Sequence, residues 1–435
     1  MRLNNEPLPK PLYLPAGRLF RTSKRNHIFE ILYKLGHGGQ GTVFLVQNKD
    51  TGKKMTIKFV HGKFANGETI KRLEYQVSQR FHKISPIFLT PRDLVIQDGL
   101  VGYVADYAEG SPIDVIVEKR EIDIIQALMA CLMLAKGFRA LHDLDVLHCD
   151  VRESNIRIAV LAADEGVEVS VIDWDGMSAP ALPPTLCVGS YRYMAPELLS
   201  ALKKDVTTVP TKATECYSLA GIFHEFITMR HHLTGYDQSP EVIHDVVCRG
   251  KWLYDIDSPF NPDYGGYPPA ILNTRLVILF RRAFSLDPAN RPTAREWENA
   301  LLEALGSILL CPFCKAPTFV DHSKTICPYC NRPFPTLKAI TSSGKHIVVN
   351  SPEVVIGRTD LGGDKTISRS HLILRKLGPE VFVQVVGKLV VSRKNGKGWE
   401  DLDFQKLIPI EPGQSLRIGN HKLQLVRCDM RGQEV

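Results

Sequence analysis

No long apolar run opens this chain, and no block of lysine and arginine marks it for nucleic acid. Residues 1–27 are polar and proline-rich, without the continuous apolar segment of a secretory signal. The longest apolar stretch, 124–135, is interrupted by Gln126 and too short to cross a bilayer. The expected location is therefore the cytoplasm, with no membrane partner. Net charge is +7, but without a basic run this predicts a mildly basic protein and no nucleic-acid partner. Repeats and low-complexity tracts are missing. Charged residues make up an ordinary 23%, which excludes wholesale disorder.

What is present is enough apolar material, 44% of 435 residues, for a large core, and a length that suits two to four domains. Of ten cysteines, four form two Cys-x-x-Cys pairs and six are scattered, a pattern of metal binding in a reducing compartment and not of a disulfide framework.

Strand and turn signals begin at Ile28. Residues 31–47 read as strand, glycine loop, strand, and Lys53–Val60 as a further strand. A helix follows over 67–82. Apolar residues at 125, 128, 129, 132, 135, 138 and 141 predict a helix over 122–142 with one buried stripe. Residues 156–161 and 167–172 read as a hairpin, and the pattern from 212 to 306 is mainly helical. The expected fold class is α+β, a small β-rich lobe followed by a larger helical one. Beyond 337 short strands are expected at 346–349, 353–356, 372–374, 381–386, 388–391, 415–418 and 422–426, the spacing of a β-sandwich.

Several motifs fall in a fixed order. Gly36-His37-Gly38-Gly39-Gln40-Gly41-Thr42-Val43 fits G-x-G-x-x-G-x-V between two strands. Ile57-Lys58 lies in the next strand. Then come His148-Cys149-Asp150-Val151-Arg152-Glu153-Ser154-Asn155, Asp173-Trp174-Asp175, Gly189 to Ala195-Pro196-Glu197, and Asp287-Pro288 to Arg291-Pro292. Singly each is weak, because a glycine-rich hairpin or a strand lysine is usually structural.

As an ordered set they resemble the eukaryotic-like (Hanks-type) protein kinases over residues 28–305, and a bilobal protein kinase fold is the implied architecture. The resemblance implies ATP and Mg²⁺ as cofactors and proteins as substrates. Gly36, Gly38, Gly41 and Val43 would cover the nucleotide. Lys58 would hold its α- and β-phosphates, oriented by Glu74, with Glu68 as the competing choice. Asp106 and Ala108 would form the adenine-binding hinge after the small residue Ala105. Asp150 would accept the substrate proton, Arg152 would contact phosphate, and Asn155 with Asp173 would hold Mg²⁺. Glu197 and Arg291 would form a buried ion pair.

The departures are Cys149 for the usual arginine, Asp175 for a glycine and Glu215 for an aspartate. The absent arginine predicts independence from loop phosphorylation, with Thr185 as the site to test. Ser190 and the short loop favour Ser/Thr substrates. Two other readings stay open, a non-catalytic scaffold and a small-molecule kinase. Asp-Trp-Asp resembles aminoglycoside-type phosphotransferases, whereas Ala-Pro-Glu and Asp-Pro…Arg-Pro argue against them.

Cys311-Pro312-Phe313-Cys314 and Cys327-Pro328-Tyr329-Cys330 are twelve residues apart, the spacing of a zinc ribbon. Four thiolates would close a structural Zn²⁺ site, and His322, the alternative ligand, reads rather as an exposed loop residue. Next, Ile356-Gly357-Arg358, Ser368-Arg369-Ser370-His371, Asn395-Gly396 and Leu416-Arg417-Ile418-Gly419 resemble the forkhead-associated (FHA) domain. The resemblance implies an eleven-stranded sandwich that binds phosphothreonine proteins through Arg358, Ser368, Arg369 and Asn395, braced by His371. Lys397 departs from the usual threonine, and Arg393 from the usual serine. The expected domains are an extension over 1–27, a kinase domain over 28–306, a zinc ribbon over 307–336 and an FHA domain over 337–430. This domain order resembles kinases of bacterial phosphorylation systems associated with tellurite resistance or stress. Such systems include a PP2C-type metal-dependent phosphatase and a von Willebrand A-type protein, which are the further partners the resemblance implies.

Overall fold

A computed structural model describes residues 9–161, 166–183, 190–204, 206, 208–250, 252, 266–311, 313–319, 326–332, 334–351, 353–377, 380–396, 398–429 and 432–434. Thr185, Cys187, Gly189, His322, Thr325, Lys397 and the hairpin turn 162–165 lie outside the described residues. The chain divides into two compact units, Met1–Tyr267 with Leu279–Asn299, and Pro268–Ile278 with Ala300–Val435.

The first unit begins with six antiparallel strands: β1 (Leu19–Arg21), β2 (Ile28–His37), β3 (Gly41–Asn48), β4 (Lys54–Val60), β5 (Asp93–Gln97) and β6 (Leu100–Asp106). They form one sheet in the order β1-β2-β3-β4-β6-β5. Strand alternation sorts their side chains onto two faces. Phe29, Ile31, Phe44, Met55, Ile57 and Phe59 build one core cluster, and Val60, Leu94, Val101, Tyr103 and Ala105 build the other. Residues 9–27 of the expected extension are not separate from the first unit. Leu14 and Phe20 are buried in the first cluster, and the Leu12 N–H donates to Thr42 Oγ1. Its polar, proline-rich composition concealed that role.

Helix α1 (Gly67–Gln79) is capped by Asn66, whose side chain accepts from the Thr69 N–H. It closes the second sheet face with Leu73. Beyond β6 come β7 (Ser111–Pro112), α2 (Ile113–Lys119) and α3 (Ile124–His142), the last opened by an Asp123/Gln126 capping box. Helix α3 is 19 residues long and by length and composition alone could cross a membrane. It serves instead as a core helix, with Leu128, Cys131, Leu134, Ala135, Phe138 and Leu141 buried. Its buried arc is wider than one stripe, and the expected stripe residues Ile125 and Met129 are exposed.

The hairpin β8 (Ile156–Val160) and β9 (Val167–Val171) follows, then α4 (Pro196–Lys203), α5 (Lys212–Thr228) and α6 (Pro240–Cys248). Helices α7 (Thr274–Ala283) and α8 (Ala294–Ser307) each contribute residues to both units. Helix α5 is buried over nearly its whole length. Phe223 of α5 packs edge-on against Trp297, and Trp297 against Phe280, so α5 is the centre of the helical lobe.

The second unit contains a two-stranded ribbon, β10 (Ile308–Leu310) with β11 (Pro317–Phe319), and a β-sandwich. The sandwich strands are β12 (Pro335–Thr341), β13 (His346–Val348), β14 (Glu353–Ile356), β15 (Leu372–Leu377), β16 (Glu380–Val385), β17 (Val391–Asn395), β18 (Gly398–Asp401), β19 (Leu407–Ile410), β20 (Ser415–Ile418) and β21 (His421–Asp429). Six form one sheet, β13-β12-β21-β20-β17-β18, and four the other, β14-β15-β16-β19. The described residues therefore hold ten sandwich strands and not eleven. The strand expected at 388–391 lies at 391–395, displaced toward the Asn395-Gly396 turn. Ile356, Leu372, Leu374, Val383, Val391, Leu416, Leu423 and Leu425 fill the space between the sheets.

Candidate active site

The glycine loop joins β2 to β3, with Gly36 opposite Val43 and His37 opposite Thr42. A Cβ on Gly36 or Gly38 would meet nothing within 4 Å, so the backbone there is open to a ligand. Gly41 has a different reason to be glycine, because a Cβ there would lie 2.4 Å from the Phe59 carbonyl oxygen. Val43 is paired with Lys58 across β3 and β4.

Lys58 and Tyr103 face each other across β4 and β6, so both side chains leave the same sheet face. The Lys58 ammonium lies 2.5 Å from Asp173 Oδ1 and 2.6 Å from Asp175 Oδ2. Tyr103 Oη donates to Asp175 Oδ1 at 3.0 Å. Burial works against the charge of Lys58, but Asp175 and Asp173 outweigh it and raise its pKa. Burial likewise pushes Asp175 up, against the pull of Lys58, whereas Lys58 overcomes burial at Asp173 and holds it low.

Glu74 does not orient the lysine. Arg72, Leu73 and Gln76 form the buried face of α1, Glu74 lies on the opposite, exposed side, and Glu68, one turn before Arg72 and acting on its charge, is exposed too. Gln76 Nε2 donates to the Trp174 carbonyl at 3.0 Å. Arg72 donates to the carbonyls of Met177 and Pro183. Helix α1 thus grips the backbone that follows Asp173.

The hinge candidates sit at the end of β6. Ala105 and Ala108 are buried. The Asp106 carboxylate is ion-paired with Lys53 and Arg92, which hold its pKa low despite burial. Its side chain is spent on these partners, so only its backbone is left for a ligand.

The loop before β8 carries the remaining groups. Asn155 Nδ2 donates to the Asp150 carbonyl at 2.9 Å and to Asp150 Oδ2 at 2.8 Å. Arg152 Nε lies 3.2 Å from the same Oδ2. Asp150 Oδ1 is buried without a hydrogen-bond partner. Burial raises the Asp150 pKa, opposed by Arg152. A buried carboxylate oxygen left unpaired is costly, and such atoms are kept where a ligand completes them. The Ile172 N–H donates to the Asn155 carbonyl, which brings Asp173 beside this loop. Asn155 Oδ1 and the Asp173 carboxylate are hard oxygen donors of the kind Mg²⁺ takes, and they fit a nucleotide-bound metal.

Glu215, in the first turn of α5, holds the loop from below. Its Oε1 accepts from the N–H groups of His148 and Cys149 at 2.8 and 2.9 Å, and its Oε2 lies 2.8 Å from His142 Nε2. Trp174 packs edge-on against His148 and Phe88. Asp173 itself adopts φ +65°, and Asp175 is not among the left-handed residues, so the loss of glycine at 175 strains nothing. Arg291 makes a two-pronged pair with Glu197, at 2.7 and 2.6 Å.

Sequence reasoning missed Asp175, Tyr103, Gln76 and Arg72. The apolar spacing of α1 gave no signal for the last two, because Glu74 shares the stripe of Ile70 and Val77 at i+4 and i−3 whereas Arg72 and Gln76 flank it.

In the second unit the four sulfur atoms of Cys311, Cys314, Cys327 and Cys330 lie within 4.8 Å of one another. Each pair sits in the same turn. The Lys315 N–H donates to the Cys311 carbonyl and the Asn331 N–H to the Cys327 carbonyl, with Lys315 and Asn331 both left-handed. This duplicated knuckle and all-sulfur donor set fit tetrahedral Zn²⁺.

Arg358 follows β14 and donates to the carbonyls of Ile367 and Lys365. The loop between β14 and β15 carries Ser368 and the exposed Arg369. The Ser368 N–H donates to Nδ1 of the buried His371, whose Nε2 lies 3.0 Å from the Leu389 carbonyl oxygen. A Cβ at Gly357 would fall 1.8 Å from the Arg369 carbonyl oxygen, so only glycine lets this loop close. Asn395 is exposed at the β17–β18 hairpin and makes no hydrogen bond to Arg358, Ser368 or Arg369 among the described residues.

Residues 29–301 match the protein kinase domain family model. A probable serine/threonine-protein kinase of Clostridium perfringens is 27% identical over 206 residues, covering 46% of this chain and 28% of that protein. Serine/threonine-protein kinase 33 of Mus musculus is 23% identical over 280 residues, 60% of this chain and 52% of that protein. A cyclin-dependent kinase G-2 of Oryza sativa is 30% identical over 198 residues, 43% of this chain and 27% of its own length. The chain thus spans from about a quarter to about half of these relatives.

Proposed function

This chain belongs to the protein kinase domain family, and from that premise we propose that it transfers the γ-phosphoryl group of ATP to serine and threonine hydroxyls of proteins. The observation that carries the reading is the pairing of Lys58 with Asp173 and of Asn155 with Asp150, brought side by side by the Ile172–Asn155 backbone hydrogen bond, in a lobe whose glycine loop has an open backbone. Lys58 supplies the cation for the α- and β-phosphates. Asp150 presents the unpartnered Oδ1 to the substrate hydroxyl and takes its proton as the oxygen attacks the γ-phosphorus. Arg152, beside Asp150, holds charge near the transferred group. Mg²⁺ on Asn155 and Asp173 would neutralise charge developing on the phosphoryl oxygens. The serine/threonine preference is supported by the names of the relatives.

The sandwich supports an FHA reader of phosphothreonine, built from Arg358, Ser368, Arg369 and Asn395. Such a reader would bring phosphorylated proteins, including the chain's own products, to the kinase. The four-cysteine cluster supports structural Zn²⁺ that folds a ribbon whose apolar core, among the described residues, centres on Leu309, Phe334 and the cysteines. A reducing cytoplasmic setting suits these thiols, and the phosphatase and von Willebrand A-type partners rest on domain order alone.

An ADP-release assay with Mg²⁺·ATP and a mixed serine, threonine and tyrosine peptide pool tests the kinase reading. Release that depends on serine or threonine peptides and disappears in Asp150→Ala supports it. Nucleotide binding without release selects a scaffold, the reading favoured by the lack of an α1 carboxylate on Lys58.

A further inference from the structure

We propose that Asp175, and not a carboxylate on α1, is the positioning residue that holds Lys58 for the nucleotide phosphates. The proposal rests on the kinase reading above and concerns the same cleft. Its first support is convergence. Lys58 on β4 and Tyr103 on β6 are cross-strand neighbours, and both end on the two oxygens of the Asp175 carboxylate, at 2.6 and 3.0 Å. The second support is the phase of α1. Its inward face offers Arg72 and Gln76, a cation and a neutral amide, and its glutamates 68 and 74 point to solvent. The third is what those inward residues do instead, which is to hold the carbonyls of Trp174, Met177 and Pro183.

The arrangement has a physical purpose. Lys58 is only 10% exposed and has two carboxylate partners. If Asp173 turns its charge to a metal ion, a lysine with that single partner would become an uncompensated buried cation, which is costly. Asp175 stays behind as its counter-charge, anchored by the Tyr103 hydroxyl. Lysine alignment is thereby coupled to the Asp-Trp-Asp segment, and α1 acts by pinning that segment.

The test measures binding of the non-hydrolysable analogue adenylyl imidodiphosphate with Mg²⁺, together with kcat and KM for ATP, in full-length variants. Asp175→Asn preserves an acceptor for Tyr103 and removes the charge. It is expected to weaken analogue binding about tenfold and to lower kcat on the order of 100-fold, the cost of misplacing a phosphate-orienting group. Glu74→Gln is expected to stay within about twofold of the unmodified chain in both, as suits a surface residue. Thermal melting identifies any variant that is merely unfolded, and Asp175→Asn then decides alone. The proposal is overturned if Asp175→Asn binds and turns over like the unmodified chain, or if Glu74→Gln falls equally far. A chain that binds the analogue but transfers nothing would end the kinase reading, and the binding measurements would still judge Asp175. A chain that binds no nucleotide overturns both.

Discussion

Glu215 serves three groups with one carboxylate, the N–H groups of His148 and Cys149 and Nε2 of His142. Burial opposes protonation of His142, but its hydrogen bonds with Cys216 and Glu215 and the Glu215 charge prevail, raising its pKa to about 9. A folded pKa above the ordinary value of about 6.5 means the stabilisation is complete below that value and is lost as pH rises through about 9. The loss is on the order of 3 kcal/mol at most. Melting curves of the unmodified chain and His142→Gln should therefore differ most near pH 6 and draw together by about pH 10. Cys149 has no cation to offer a phosphate, and Arg72 already ties the following segment through backbone carbonyls. Thr185→Ala should accordingly keep activity within about twofold, and loss of activity together with a phosphate would refute this. At this scale the sequence displayed Lys58, Asp150, Asn155 and Asp173 through motif order. It obscured the partner of Lys58, because Glu74 shares the stripe of Ile70 and Val77 by spacing and so reads as inward, yet it is exposed, with Arg72 and Gln76 buried instead. Asp175 could be recognised only once β4 and β6 were in register.

Elements were legible where their burial is one-sided. Strands β2 to β4 and helices α1 and α3 have boundaries close to those expected, because a face packed on a core imposes a period. The edge strands β13 and β14 lie where strands were expected, but two others were not legible. Strand β18 lies at the rim of its sheet with all four residues exposed, and β19 lies at the rim of the other with Pro409 inside it. Neither needs an alternating pattern, and proline is tolerated at an edge. Helix α4 is fastened to the segment before α8 by the pair of Glu197 and Arg291, the latter with a fully buried side chain. Arg291→Ala leaves a carboxylate without its partner and should cost about 3 kcal/mol, measured by urea unfolding. The cysteine ribbon has too small a core to stand without a cross-link. Cys314→Ser, or a strong chelator, should release close to one Zn²⁺ per chain and increase proteolysis within 308–336, leaving the sandwich intact.

Across the whole molecule, each unit has its own core, and motif order separated the candidate writer of phosphate from the candidate reader. Arg358→Ala should weaken a phosphothreonine peptide at least about tenfold, the loss of a charge-assisted pair, without changing transfer to a peptide that carries no phosphate. Fluorescence anisotropy and ADP release would measure the two effects on the same chain. Composition misassigned the outer boundary of the first unit, since Leu14 and Phe20 lie within a polar, proline-rich tract yet enter the sheet core. The central claim concerns the cleft, and its most direct test is mass spectrometry of the full chain and an added protein substrate after incubation with Mg²⁺·ATP, beside Asp150→Ala. The account predicts phosphate on serine or threonine in the unmodified reaction and none in the variant. Equal phosphate in both, or none in either while nucleotide is bound, would contradict it.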